Sequence, residues 1–271
     1  MRNLAHPAFD ELTILDDAIQ SLEDRDRLKL AELRTTLSGA YAKYSTLAPH
    51  LERHKAIRLR KRHVSTVSRL WNAVAGTGSA LRATLLKLGN GTCPYCSMGQ
   101  AAIHLDHYLG RAEYPEFILL PANLVPSCAR CNSPRKSVKH GRRRLLHFYF
   151  DPVDSIQRVL RARIHFESSR PIMTFILKMP PKPSAVTSLY AEHCRTLKLL
   201  HAYNMHFTDY RLPTIVDDVK AFGRYGADEV VAVFRKRAAA RAARDGENDP
   251  EVAAFYAVAE SRPFVEWAVA Q

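Results

Sequence analysis

Apolar residues recur at helical spacing through the first ninety positions of the chain. Leu12, Leu15, Ile19 and Leu22 share one helical face, and after a charged break from Glu23 to Arg27 the period resumes with Leu30, Leu33, Leu37, Tyr41, Tyr44 and Ala48. Val64, Val67, Leu70, Trp71, Val74, Leu81, Leu85 and Leu88 predict a third helix, with Gly76 and Gly78 as a kink or interruption. Gly89, Asn90 and Gly91 then punctuate the chain, and from Cys93 to about Lys139 turn residues, cysteines and histidines replace the helical period. Three stretches of strand character follow: Leu145 to Phe150, Val159 to Phe166 and Ile172 to Leu177. The proline-rich run from Met179 to Pro183 ends strand pairing, because proline cannot donate to a ladder. Helix returns beyond it. Val186, Leu189, Tyr190, Leu197 and Leu200 mark one helix and Ala227 to about Ala243 another, while Asp249 before Pro250 reads as an N-cap with a first-turn proline.

This order predicts an α+β protein in three parts. Residues 1–90 form a helical arm or cap, 91–150 a compact core carrying the chemistry, and 151–271 short strands followed by a helical region. No internal repeat is visible. A chain of 271 residues, 46% apolar and 25% charged, can bury a real core without disulfides. Asp10, Glu11, Asp16 and Asp17 interrupt the first twenty residues, unlike a secretory signal. No window approaches the roughly 18 continuous apolar residues of a membrane span. The expectation is a soluble, cytoplasmic protein with no membrane partner.

Charge changes the picture further. Lys and Arg number 40 against 27 Asp and Glu, a net charge of +13. That balance suits a protein that meets phosphate backbones, although anionic membranes or acidic proteins would suit it too. Basic clusters stand at Arg58 to His63, at Lys136 through Arg144, and at Arg235 to Arg237 with Arg241 and Arg244. Solvated helix faces are the simple reading of the first and last.

Four of the five cysteines form two pairs, Cys93-Pro94-Tyr95-Cys96 and Cys128-Ala129-Arg130-Cys131. Each Cys-x-x-Cys turn puts two thiolates on one side of a metal, and two turns supply the four-sulfur tetrahedron that Zn²⁺ prefers. Four thiolates leave no open position, so this zinc would be structural. The intervening 31 residues (97 to 127) exceed a zinc ribbon's usual spacing. Redox dithiols or buried thiols are the alternatives, and Cys194, on a helix face, reads as a core thiol.

Between the pairs stand Ile103-His104-Leu105-Asp106-His107-Tyr108-Leu109, then Tyr114-Pro115-Glu116 and Asn123-Leu124-Val125-Pro126-Ser127; Asn132 follows the second pair, with Arg135 and Lys136 after it. This run resembles the HNH endonucleases with their ββα-metal fold, over roughly Thr92 to Asp151. More narrowly it is similar to a group of bacterial HNH proteins, some of which work beside an ATPase in anti-phage defence. It departs from that group at Gly110, where proline is usual, and at Asn132, which takes the place of the family's final histidine.

The resemblance implies a zinc-stapled ββα-metal core with a few extra strands inside a mainly α-helical body, and a metal-dependent endonuclease acting on nucleic acid, DNA more than RNA. His107 would be the general base, a role that suits an imidazole near neutrality. Asp106 and Asn132 would ligate a catalytic Mg²⁺ or Mn²⁺, with a bend or bulge near Asp106 letting neighbouring strand residues serve one site. Asn123 would brace the loop carrying His107. Arg135, Lys136, Lys139, Arg142 and Arg143 would hold backbone phosphates. His104 shares strand parity with Asp106 but reads more simply as a solvated strand histidine, and His140 and His147 receive no role. An ATPase partner in a defence system is a further expectation of the narrower resemblance. The rival reading is a non-catalytic zinc module binding nucleic acid or a partner protein, which would have no need of Asp106, His107, Asn123 and Asn132.

Overall fold

Asp10 opens the first helix by accepting the backbone N–H groups of Leu12 and Thr13 on its carboxylate, so two donors at the helix start are satisfied. The computed structural model describes residues 1–74, 79–132 and 143–271. Internal contacts divide the chain into two units: Asn3–Tyr95 with Gly99–Asp151, and Met1–Arg2 with Cys96–Met98 and Pro152–Gln271. The architecture is α+β, mostly helical with two small antiparallel sheets.

The first unit carries helices α1 (Glu11–Gln20), α2 (Asp24–Ala31), α3 (Arg34–Leu47), α4 (Lys61–Val74) and α5 (Ala80–Leu88). Strands β1 (His104–His107) and β2 (Leu124–Ser127) pair antiparallel, from His104 opposite Ser127 to His107 opposite Leu124. Leu81 and Leu85 of α5 pack on Leu105 of β1 and Leu124 of β2, with Phe9, Ile14 and Trp71 at the margin. At the end of α5, Gly89 is required by space: a Cβ there would lie 2.7 Å from the Thr92 carbonyl oxygen and 3.3 Å from Pro126. The five helices thus fall in one unit with Gly99–Asp151.

The second unit holds β3 (Leu160–Glu167) and β4 (Arg170–Leu177), then α6 (Ala185–Thr196), α7 (Leu199–His206), α8 (Leu212–Gly223), α9 (Ala227–Asp245), α10 (Pro250–Glu260) and α11 (Arg262–Val269). Ser168 and Ser169, both at positive φ (46° and 68°), make the tight turn between β3 and β4. Asn248 is buried beside this hairpin and takes the N–H groups of Val159 and Leu160 while donating to the carbonyls of Ile156 and Gln157. Thr208 and Asn204 cap N–H groups of Met173 and Phe175 in β4, closing polar groups that a two-stranded sheet leaves open. Asp249 caps α10 ahead of Pro250.

Two expectations from the pattern change. Leu145 to Phe150 is not a strand. The N–H groups of Phe150 and Asp151 both turn back to the His147 carbonyl, the His147 N–H meets the Asp151 carboxylate, and Leu145, Leu146, His147 and Phe148 are all buried. The apolar run records burial on every side rather than one face of a sheet. The continuous period from Leu30 to Ala48 is broken between α2 and α3, where Leu33 bonds back to Leu30 at 2.9 Å; each piece still buries its apolar residues. Gly76 and Gly78 lie outside the described residues. No helix among those described is long and apolar enough to cross a membrane.

Candidate functional site

The first cysteine pair sits on a small hairpin. The Cys93 N–H bonds the Gln100 carbonyl at 2.9 Å, Ala102 bonds Gly91 at 3.0 Å, and Thr92 bridges Ala101. Ser97 and Gly99 take the positive φ that the turn needs. The second pair follows β2 directly, and the Asn132 N–H returns to the Cys128 carbonyl at 2.8 Å. All four cysteines are buried, none is in a disulfide, and the four sulfurs lie within 4.8 Å of one another. A tetrahedron with metal–sulfur bonds of about 2.3 Å has sulfur–sulfur edges of about 3.8 Å, so these residues can hold a zinc ion with little adjustment. Among the described residues no second group of three or more His, Cys, Asp or Glu donors converges in this way.

Asp106 and His107 end β1. Asp106 is 8% exposed and accepts the Tyr95 hydroxyl at 2.9 Å. Burial first, and then the Asp106 carboxylate, push the Tyr95 phenol far above its usual range, so it keeps its proton and serves as the donor. Tyr95 stands between Cys93 and Cys96, so the first cysteine pair and Asp106 are coupled through one residue. The pairing of Asp106 with Val125 and His107 with Leu124 runs in register without a bulge.

His107 is partly exposed, and its Nε2 lies 3.1 Å from the Ile118 carbonyl oxygen. A carbonyl only accepts, so Nε2 carries the proton and the neutral ring keeps its lone pair on Nδ1. Trp71 of α4 packs on the ring at 4.5 Å between centroids. Apolar surroundings lower the histidine to about 4, with the Ile118 carbonyl opposing and Arg111 assisting the shift. Near neutral pH the imidazole is uncharged.

Asn123 is completely buried at the entrance to β2. Its Oδ1 accepts the Leu109 N–H at 2.8 Å, and its Nδ2 donates to the carbonyls of Leu109 (3.1 Å) and Phe117 (3.2 Å). Leu109 lies two residues beyond His107, and Phe117 immediately precedes Ile118, which holds the His107 ring. One amide therefore clamps both ends of the loop that aims the histidine.

Among known proteins, a 45-residue stretch is 51% identical to Protein ea31 of Escherichia phage lambda. It covers 16% of this chain and 15% of that protein. No protein-family model matches the chain, and no solved structure does.

The remaining predicted residues fare differently. Asn132 is exposed at the end of the second cysteine turn. Arg135, Lys136, Lys139 and Arg142 lie outside the described residues, as does His140. Arg143 turns inward: its side chain is 11% exposed, pairs with Asp151 and donates from Nε to the Tyr108 hydroxyl at 3.1 Å. With its guanidinium committed inside the first unit, Arg143 is a brace rather than part of an open phosphate track. In the last basic cluster, Arg237 pairs with Asp218, and Arg241 and Arg244 with Asp245. His104 is partly buried on β1.

Sequence reasoning passed over Tyr44 and His147. Tyr44 fitted the apolar period of α3, yet its hydroxyl lies 3.1 Å from Asn123 Oδ1 and 3.0 Å from His147 Nε2, all three groups being buried. Glu116 is a second such case, accepting the Ile57 N–H at 2.8 Å and facing His54 at 3.5 Å.

Proposed function

We propose that this chain is a metal-dependent endonuclease of the HNH kind, hydrolysing phosphodiester bonds in nucleic acid, with DNA the favoured substrate. The observation that carries the reading is the state of His107, uncharged, anchored through Nε2 and left with Nδ1 as its one ring lone pair. A general base for water needs such an unprotonated nitrogen, and at about 4 this imidazole is free to accept a proton at neutral pH while being a weaker base than an unperturbed histidine.

In the proposed reaction His107 Nδ1 takes a proton from water as the water oxygen bonds to phosphorus. The bond from phosphorus to the 3′ oxygen breaks in line, the leaving oxygen takes a proton from solvent and His107 releases its own to solvent, leaving 5′-phosphate and 3′-hydroxyl ends. Asp106 and Asn132 are the residues that would hold Mg²⁺ or Mn²⁺, which when bound supplies neutralisation of phosphate charge and of the leaving oxygen. The carboxylate and amide oxygens are hard donors suited to such ions, which keep several waters of their own. Cys93, Cys96, Cys128 and Cys131 would hold structural zinc. Asn123 keeps the His107 loop in place, and the net charge of +13 favours a polyanionic substrate.

The test is incubation of purified chain with plasmid and with RNA in Mg²⁺, Mn²⁺ or EDTA, followed by ligation of the products. Metal-dependent nicks that ligase reseals support the reading, because resealing requires 5′-phosphate and 3′-hydroxyl ends. Nucleic-acid binding with no cleavage in either metal supports the zinc-module reading instead. The resemblance extends the proposal to an ATPase partner in phage defence, tested by copurification of a tagged chain with an ATPase encoded beside it and by phage plating on cells expressing both.

A further inference from the structure

The polar groups behind Asn123 form a chain whose donors and acceptors can be assigned one by one. Tyr149 donates its backbone N–H to His147 Nδ1 at 3.4 Å, so Nδ1 is the acceptor of that ring and Nε2 carries the proton. The Ala122 carbonyl also hydrogen-bonds the His147 ring, which again calls for a ring N–H. Nε2–H then faces the Tyr44 oxygen at 3.0 Å, and the Tyr44 O–H has two acceptors in reach, Asn123 Oδ1 at 3.1 Å and the more distant Ala122 carbonyl at 3.4 Å, of which the shorter takes the proton. Oδ1 receives two donors, Tyr44 and the Leu109 N–H, which fixes which end of the amide is oxygen. The opposite end must therefore donate to the Leu109 and Phe117 carbonyls. The chain closes at the next peptide, where the Ile118 carbonyl accepts His107 Nε2–H.

We infer that Tyr44 and His147 are positioning residues for His107, acting through Asn123 to keep the imidazole anchored by Nε2 with its lone pair on Nδ1. This rests on the nuclease reading for its consequence in catalysis, though not for the geometry. The cause is physical. A buried amide with one donor missing from Oδ1 is less firmly oriented, and an amide that wavers loosens the Phe117–Ile118 carbonyls together. Tyr44 belongs to α3 and His147 to the turn before Asp151, so segments some hundred residues apart in sequence converge on one amide. Tyr44 also packs edge-to-face on Phe117 at 4.9 Å, so Tyr44→Phe removes the hydroxyl and keeps the ring.

The experiment reads the histidine directly. Nuclear magnetic resonance of the ¹⁵N-labelled full chain, with His107→Ala to assign the signals, should show a sheltered His107 Nε2–H proton in the wild type. In Tyr44→Phe and His147→Phe that proton is expected to broaden or disappear through exchange with water. In His147→Gln, whose amide N–H can replace Nε2–H, it is expected to return. The cleavage rate at saturating DNA should fall roughly 10- to 100-fold in Tyr44→Phe with KM little changed. An Nε2–H signal unchanged in both phenylalanine variants overturns the inference, and the second variant carries the test if the first does not fold. The signal is read without substrate. A chain that never cleaves but loses it in the variants refutes the nuclease reading alone, and a cleaving chain that keeps it refutes the support alone.

Discussion

The Asn123 side chain bonds Leu109 twice, accepting its N–H at 2.8 Å and donating to its carbonyl at 3.1 Å. This paired contact closes the loop after β1 onto the entrance of β2, in a place where water cannot substitute. Asn123→Ala would strand the Leu109 N–H and the Leu109 carbonyl, while the Phe117 carbonyl keeps the Leu120 N–H at 3.3 Å. With about 1–3 kcal/mol for each of the two buried groups left unpaired, a loss of about 2–6 kcal/mol is expected. Urea unfolding measures it, and a loss under about 1 kcal/mol would mean that the loop does not depend on the amide.

Metal content should follow the sulfurs. Purified chain is expected to carry one zinc per molecule, and Cys93→Ser or Cys131→Ser to lose both the metal and the cooperative thermal transition. Elemental analysis with melting curves checks this. A Cys131→Ser chain that melts like the wild type would remove zinc from the folding account.

Arg143 should matter to stability rather than to substrate. It forms a nearly buried pair with Asp151, with side-chain exposures of 11% and 7%. Arg143→Ala leaves a buried carboxylate without its cation, held among the described residues only by the His147 N–H, a change of about 3–5 kcal/mol. DNA affinity of the folded variant is expected to keep the wild-type dependence on salt. A shallower salt dependence would return Arg143 to the phosphate-binding surface.

Acid should weaken the first unit through its histidines. Burial holds His147 well below its ordinary value, with Arg143 and His6 adding to the shift, and burial lowers His107 to about 4. The unfolded chain binds these protons near pH 6.5 and the folded chain only at lower pH, so between about 6.5 and 4 unfolding takes up protons. Stability is therefore complete above that window and lost as pH falls through it. Comparing urea midpoints at pH 7.5 and 5 in the wild type and in His147→Gln checks the sign: the variant should lose less. An equal loss would mean that His147 does not contribute.

The parts that were legible in the sequence are those whose chemistry is written locally. Cysteine spacing announces a four-sulfur site because two side chains three residues apart in a turn reach the same point. The β3–β4 hairpin was legible through its β-branched and aromatic residues, and the α10 cap through Asp249 and Pro250. Tyr44 was invisible because its ring satisfies a helical apolar period, while its hydroxyl finds Asn123 across 79 positions of chain. Arg143 misled for a related reason: a basic run reads as surface, whereas its partner Asp151 is set by the turn that replaced the expected strand at Leu145 to Phe150.

The central claim is that His107 takes the proton from water. The most direct test is the rate at which supercoiled plasmid is nicked in Mg²⁺ or Mn²⁺ by the wild type and by His107→Ala, both folded and carrying zinc. Nicking is expected to be abolished by EDTA and to fall by about 10²-fold or more in the variant. Nicking at the wild-type rate by His107→Ala would contradict it.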